Sequence, residues 1–408
     1  MSRVTDQISP MLAGKQLDEQ LMVLPSFAAD TALKTASERL LALNDIYELF
    51  YPGKMSREIY TKIYLALYRS LQKKETINEV RQSNINYRNF RGMNDSSVIG
   101  GSDCLAIIGD SGIGKSRTVR RAVDVITGEN CIVLTKPYRK IIPCVQVQTP
   151  FDCSVKSLLL EILRSVDCVL NTKYHEYAVR SKATVDNLIL TVSQVSLEHI
   201  GMIIVDEIQN CVTGKQGRNL VGCLTQLINS SGIAIVMVGT PECTDFFQSE
   251  MYLARRTQGL QYGVMDYGTE FQELCRVLFQ YQYVTKKADC TDDFVYWLHE
   301  KCQGNISVLI SLLHDAQEIA ILEGSEELNK SSIQNAYENR LSSMHIYLQS
   351  SKKAMKPAKK EKSVVVNNNS DLDIEMVSFS EIINDCKRHS LDPVQYLKQK
   401  NLLQEISI

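Results

Sequence analysis

This 408-residue sequence lacks an excess of either charge: 45 Lys and Arg stand against 47 Asp and Glu, a formal net charge of −2. Proteins that coat nucleic acid are often basic overall, so a nucleic-acid surface on this chain has to be local. Also missing is any C-x-x-C pair, although the chain has 12 cysteines. They are scattered, at Cys104, Cys131, Cys144, Cys153, Cys168, Cys211 and onward, and no Cys/His cluster has zinc-ligand spacing. Most sit in apolar runs, where free cysteine behaves as a small buried hydrophobe; reduced core thiols imply a reducing compartment. The opening MSRVTDQISPML has no apolar h-region of a signal peptide. No uninterrupted apolar stretch reaches the roughly 18–20 residues that a membrane span needs. The expectation is a cytoplasmic chain with no membrane partner.

What is present is the profile of a soluble globular protein, 44% hydrophobic and 23% charged, long enough for one large domain or two ordinary ones plus tails. Five zones are expected. Residues 1–95 read as a helical N-terminal region for partner docking, because Thr31–Phe50 and Ser56–Leu71 carry apolar residues at three- and four-residue intervals. Residues 96–285 alternate short apolar strands (Cys104–Ile108, Ile142–Gln148, Gly201–Val205, Ile233–Val238) with helices such as Val155–Val169 and Asn219–Asn229. Continuous apolar strands lack a polar face, so helices have to cover both sides of a parallel sheet: an α/β fold. Residues 286–350 turn helical again, through Asp292–Lys301, Ile306–Leu322 and Ser331–Ser342, and form a small lid. Residues 351–376 are a basic, Asn-rich linker with little to bury. Residues 377–408, with short helices at Phe379–Arg388 and Asp392–Leu403, read as a tethered docking element.

Gly109-Asp110-Ser111-Gly112-Ile113-Gly114-Lys115-Ser116 fits G-x-x-x-x-G-K-[ST] at every position, between a buried strand and a helix over Ser116–Ile126. Its glycines let successive N–H groups point at phosphate oxygens, and the helix N-terminus adds partial positive charge. Lys115 supplies a cation for the β- and γ-phosphates of ATP, Ser116 a hydroxyl for Mg²⁺, and Arg117 follows within the same nucleotide site. Some 90 residues later the apolar run Met202–Val205 ends in Asp206 and Glu207. Carboxylates at the tip of a buried strand lie where α/β sheets bind ligands, so Asp206 is expected to hold Mg²⁺ and Glu207 to polarise the attacking water. The strand Ile233–Val238 leads to Thr240, placed to sense the γ-phosphate. Arg255 and Arg256 are candidates for a finger that reaches a neighbouring subunit's nucleotide, which would make assembly part of catalysis.

These motifs with a helical lid behind them resemble the AAA+ ATPases. Gln148-Thr149-Pro150-Phe151-Asp152-Cys153-Ser154-Val155-Lys156-Ser157-Leu158 is similar to the Pro-Phe-Asp stretch of the TnsC/TniB regulators of DNA transposition, as are the form of the P-loop and Leu253-Ala254-Arg255-Arg256. The likeness spans roughly residues 84–342. It implies a bacterial homo-oligomer, ring or helical filament, that assembles on double-stranded DNA in the ATP state. It would link a target-selection protein or RNA-guided complex to transposase subunits, with hydrolysis driving disassembly. The segment Gln303-Gly304-Asn305-Ile306-Ser307 departs from many AAA+ lids in lacking an arginine for the γ-phosphate.

By position, two basic clusters are candidates for DNA-backbone contact: Lys136, Arg139 and Lys140, and Lys173, Arg180 and Lys182, with the second the stronger. Two other readings share the core motifs. An origin-initiator or helicase-loader ATPase would favour a C-terminal winged helix, for which residues 371–408 are short. A nucleotide-switched signalling scaffold would bind ATP without DNA-dependent assembly.

Overall fold

The apolar runs expected to be buried strands form the middle of a six-stranded sheet. In the computed structural model the described residues are 4–27, 31, 33–74, 104–128, 133–135, 139–211, 215–244 and 257–341. The strands are β1 (Cys104–Gly109), β2 (Val133–Thr135), β3 (Arg139–Gln148), β4 (Ile200–Asp206), β5 (Ala234–Gly239) and β6 (Thr257–Tyr262). Their order is β2-β3-β4-β5-β1-β6; β2 pairs antiparallel with β3, and the other five strands are parallel. The register sets Ile203 beside Ile235 and Ile107 beside Val238.

The helices are α1 (Gly14–Leu21), α2 (Ala36–Leu43), α3 (Asp45–Glu48), α4 (Lys54–Lys73), α5 (Lys115–Thr127), α6 (Val155–Leu170), α7 (Tyr174–Arg180), α8 (Val185–His199), α9 (Lys215–Ser231), α10 (Thr269–Leu278), α11 (Asp292–Cys302), α12 (Ile306–Leu322) and α13 (Lys330–Asn339). Several starts are written locally: Ser154, Thr184, Thr291, Asn305 and Asn329 each accept a backbone N–H with their side chain at a helix N-cap. No single helix among the described residues is long and apolar enough to cross a membrane.

Side chains on a strand alternate between faces, and here the two faces have different covers. Cys104, Ala106 and Ile108 of β1 with Ile203 and Val205 of β4 pack against α6, α8 and α9. Leu105 and Ile107 with Met202 and Ile204 pack against α1, α4 and α5. That is the doubly covered parallel α/β sheet expected from strands with no polar face. Helix α4 lies close on β4: a Cβ on Gly201 would meet Leu67 Cδ1 at 3.0 Å and the Pro143 carbonyl oxygen at 2.5 Å. At the end of α4, buried Lys74 donates to the carbonyls of Ser196 (2.9 Å) and Leu197 (2.8 Å) in the last turn of α8, where the helix dipole favours a cation.

A third core joins the helices expected as a lid over 286–350 to α10, which lies within the segment 96–285 expected as the α/β core; together they make up the lid. Phe271 and Leu274 of α10, Phe294 and Leu298 of α11, Leu309 and Leu313 of α12 and Ile333 of α13 share it with Leu43, Ile46 and Leu49 from the N-terminal region. Residues 4–23 and 54–74 thus join the sheet, while α2 and α3 join the lid. The helical run expected over Thr31–Phe50 is divided: Thr35 starts α2 in a capping box with Glu38, and α3 is a separate four-residue turn. Strands β2 and β6 were not expected. Both lie at sheet edges; β2 has three residues and β6 reads TQGLQY, too polar to signal a buried strand. The chain divides into two units, Met1–Met355 and Lys356–Ile408. The expected helices Phe379–Arg388 and Asp392–Leu403, and the linker before them, lie outside the described residues.

Candidate functional site

The loop between β1 and α5 turns back on itself through two glycines in the left-handed region, Gly112 (φ +81°) and Gly114 (φ +93°). Gly109 has no room for a side chain, since a Cβ would meet Tyr262 O and Ile113 Cδ1 at 2.7 Å each. Asp110 donates its N–H to Tyr262 O (3.3 Å), tying the loop to the tip of β6. Helix α5 then starts at Lys115 with its N-terminus facing the loop. Buried Lys115 donates through Nζ to Gly109 O (2.7 Å) and Asp110 O (2.8 Å). Burial pulls its pKa down from the ordinary lysine value, opposed by the charges of Glu207, Asp206 and Asp110.

Across the loop, β4 ends in Asp206. Its Oδ1 accepts the Glu207 N–H at 2.8 Å, and its carbonyl accepts from Thr149 N at 2.8 Å. Glu207 sits at φ +58°, an uncommon conformation for a side-chain-bearing residue, and accepts a hydrogen bond from Gln209 Nε2. The tip of β5 brings Thr240 into the same space. Its hydroxyl draws the Glu242 carboxyl down in pKa, yet buried Oγ1 makes no hydrogen bond of regular geometry. Such an atom suits a site that receives a polar ligand.

These groups converge on one cavity of about 430 Å³, which Ser111 to Ser116, Arg117, Asp206, Glu207 and Thr240 all line. Gly109 and Asp110 form the base of the loop behind it. The donor set suits the groups the motif implies: N–H groups and a buried cation for phosphates, and the hard oxygens of Ser116 and Asp206 for Mg²⁺.

Part of the wall was not foreseen. Tyr47 of α3, and Phe50 and Tyr51 from the turn between α3 and α4, line it together with Met265, Leu274 and Ile306. The Arg117 guanidinium lies 5.8 Å from the Phe50 ring centroid, so the third residue of α5 also holds this wall. The Tyr51 hydroxyl donates to Glu273 Oε2 (2.9 Å) on α10. The signal in the sequence is the aromatic pair before Pro52-Gly53, which marks a turn without saying what it faces. The lid also touches the loop directly: Asn305 Nδ2 donates to Ser111 O (2.8 Å) and Ser307 N to Gly112 O (2.9 Å).

Other expected residues lie elsewhere. Arg255, Arg256 and Lys136 fall outside the described residues, as does the side chain of Arg139. Lys140 is exposed near the start of β3, at the opposite end of the parallel sheet from Asp206. Lys173 precedes α7 and Arg180 ends it, and both meet Glu176, at 4.0 and 2.5 Å, while Lys182 is exposed just beyond.

Residues 99–262 match the model of a family described as bacterial TniB protein. No curated protein matches the chain. Among solved structures, the Aeropyrum pernix ORC2 protein in its ADP form is 15% identical, covering 63% of this chain and 66% of that one, with a TM-score of 0.41. The Aeropyrum pernix ORC1 protein in complex with DNA is 14% identical over 63% of each chain, also with a TM-score of 0.41. The chain thus spans about two thirds or less of these structures. The match over 99–262 contains all six strands of the sheet together with the P-loop, Asp206, Glu207 and Thr240.

Proposed function

We propose that this chain, whose residues 99–262 match the TniB family, is an ATP-dependent regulator of DNA transposition. It assembles on double-stranded DNA in the ATP state and links a target selector, protein or RNA-guided, to the transposase; hydrolysis then takes the assembly apart. One observation carries the reading: within the matched segment, a phosphate-binding loop, two strand-tip carboxylates and Thr240 line a single cavity.

In this reading the N–H groups of the P-loop and Lys115 hold the phosphates, the aromatic side chains of Tyr47, Phe50 and Tyr51 and the lid enclose the base, and Ser116 and Asp206 would hold Mg²⁺. The metal, when bound, offsets the charge of the β- and γ-phosphates. Glu207 orients the attacking water and accepts its proton, and Thr240 positions that water against the γ-phosphate. Arg255 or Arg256 completes the site from a neighbouring copy, so hydrolysis waits for assembly. Residues 1–95 and 377–408 offer the docking surfaces for selector and transposase. Lys173, Arg180 and Lys182, with Lys136, Arg139 and Lys140, face the DNA backbone.

The test is electron microscopy of the full chain with duplex DNA, comparing a slowly hydrolysed ATP analogue with ADP. Rings or filaments on DNA with the analogue alone are expected. Single copies in both states, with DNA present and nucleotide bound, would overturn the assembly reading.

A further inference from the structure

The hydrogen bonds between lid and P-loop have a directional consequence. A trans peptide is planar, with its C=O and N–H pointing to opposite sides. Asn305 Nδ2 holds the carbonyl of Ser111 (2.8 Å), whose peptide partner is the N–H of Gly112. Ser307 N holds the carbonyl of Gly112 (2.9 Å), whose partner is the N–H of Ile113. With both carbonyls drawn out toward the lid, both N–H groups turn into the concave side of the loop. The fit is close: a Cβ on Gly112 would meet Asn305 Oδ1 at 2.6 Å and Ser307 Cβ at 3.1 Å.

Asn305 is itself held from two sides. Its Oδ1 accepts Val308 N (3.3 Å) as the N-cap of α12. The preceding Gly304 accepts Met265 N at its carbonyl (2.9 Å), and Met265 belongs to the segment by which the chain leaves β6 for the lid. Gly304 has φ +72°, and a Cβ there would lie 2.0 Å from Met265 O, so only glycine allows this contact.

We propose that Asn305, with the backbone N–H of Ser307, is a positioning residue for phosphate binding: from the lid it fixes the orientation of the P-loop amides of Gly112 and Ile113. The proposal rests on the nucleotide-binding reading above and deepens it. The lid contributes to the site by setting two backbone donors, which serve any nucleotide with a β-phosphate, ADP as well as ATP.

The variant that isolates this role is Asn305→Ser in the full chain. Serine caps a helix about as well as asparagine, so α12 keeps its start while the amide donor to Ser111 is lost. Three readouts decide: the unfolding temperature without nucleotide, the affinities for Mg·ADP and a non-hydrolysed Mg·ATP analogue, and the affinity for adenosine, which has no phosphate. Expected are an unchanged unfolding temperature, a loss of about three- to ten-fold for both nucleotides by the same factor, and unchanged adenosine binding, as for one lost hydrogen bond in the phosphate cradle. Asn305→Ala, which loses cap and donor together, repeats the nucleotide loss and also lowers the unfolding temperature. Three outcomes overturn the proposal: unchanged nucleotide affinity, loss for the ATP analogue alone, or an equal loss for adenosine. Wild-type protein that binds neither nucleotide defeats the ATPase reading itself, a result separable from the other three.

Discussion

Arg39 on α2 and Glu326, beyond the end of α12, form a two-pronged ion pair: Nη1 to Oε2 and Nη2 to Oε1, each 2.5 Å. Arg39 is buried and also donates to Tyr283 O at 3.0 Å, so it fastens the N-terminal segment to the lid from within. The hydrogen bond from Arg39 leads the causes that hold the Glu326 carboxyl below the ordinary carboxylate range. A carboxyl with a depressed folded pKa contributes stability that is present above its unfolded pKa and is lost as pH falls through the folded value. Glu326→Gln should therefore flatten the loss of stability on acidification while lowering stability near neutrality. Removing one partner of such a pair costs roughly 3 kcal/mol. Denaturant unfolding at neutral and acidic pH measures both, and parallel curves for variant and wild type would count against the pairing.

Lys115→Ala and Glu207→Gln should part ways. The first removes the buried cation of the P-loop and should abolish nucleotide binding and DNA-dependent assembly. The second keeps the shape of the side chain but not its basicity, so ATP binds, turnover falls about 10²- to 10⁴-fold and assemblies persist. Nucleotide binding, phosphate release and microscopy on both proteins decide; identical behaviour would sink the two assignments.

Gly304→Ala should be far costlier than its size suggests. The added Cβ meets Met265 O at 2.0 Å, and the residue is held at φ +72°. A loss of about 2–4 kcal/mol is expected, from backbone strain plus a broken contact. Thermal unfolding checks this, with Gly324→Ala as a comparison: it shares a positive φ of +73° but has open space around it.

The DNA surface proposed at Lys173, Arg180 and Lys182 can be tested through its counter-charge. Glu176 meets both Lys173 and Arg180, and exposed pairs of this kind are weak and easily exchanged for phosphate. Replacing Lys173, Arg180 and Lys182 by Gln should lower the salt slope of duplex binding by about 0.9 per lost phosphate contact, while Glu176→Gln should tighten binding. A slope unchanged by the triple replacement would remove this face from the interface.

The strands β1 and β5 were legible because each is six residues with no polar side chain, a pattern only a doubly covered sheet accommodates. Edge strand β6, TQGLQY, carries no such signal. The P-loop and Asp206-Glu207 were legible because each is written in adjacent residues between a buried strand and the element that follows it. Asn305 lies 194 positions from Ser111 and reads only as a helix cap, and nothing local shows which carbonyl its amide will meet. The same holds for Leu43, Ile46 and Leu49. Periodicity marked an apolar face there, but which layer it would bury in depends on the path of the whole chain.

Among the described residues that path crosses between sheet and lid three times, near residues 23–27, 50–54 and 262–265. The module that gene rearrangement could move intact is accordingly wider than its sequence motifs. A fragment starting just before β1 would carry every nucleotide-binding motif and still arrive with its lid unplugged, since the stoppers come from α2 and α3. Heredity has to keep α1 to α4 in company with the P-loop, whatever else they bind.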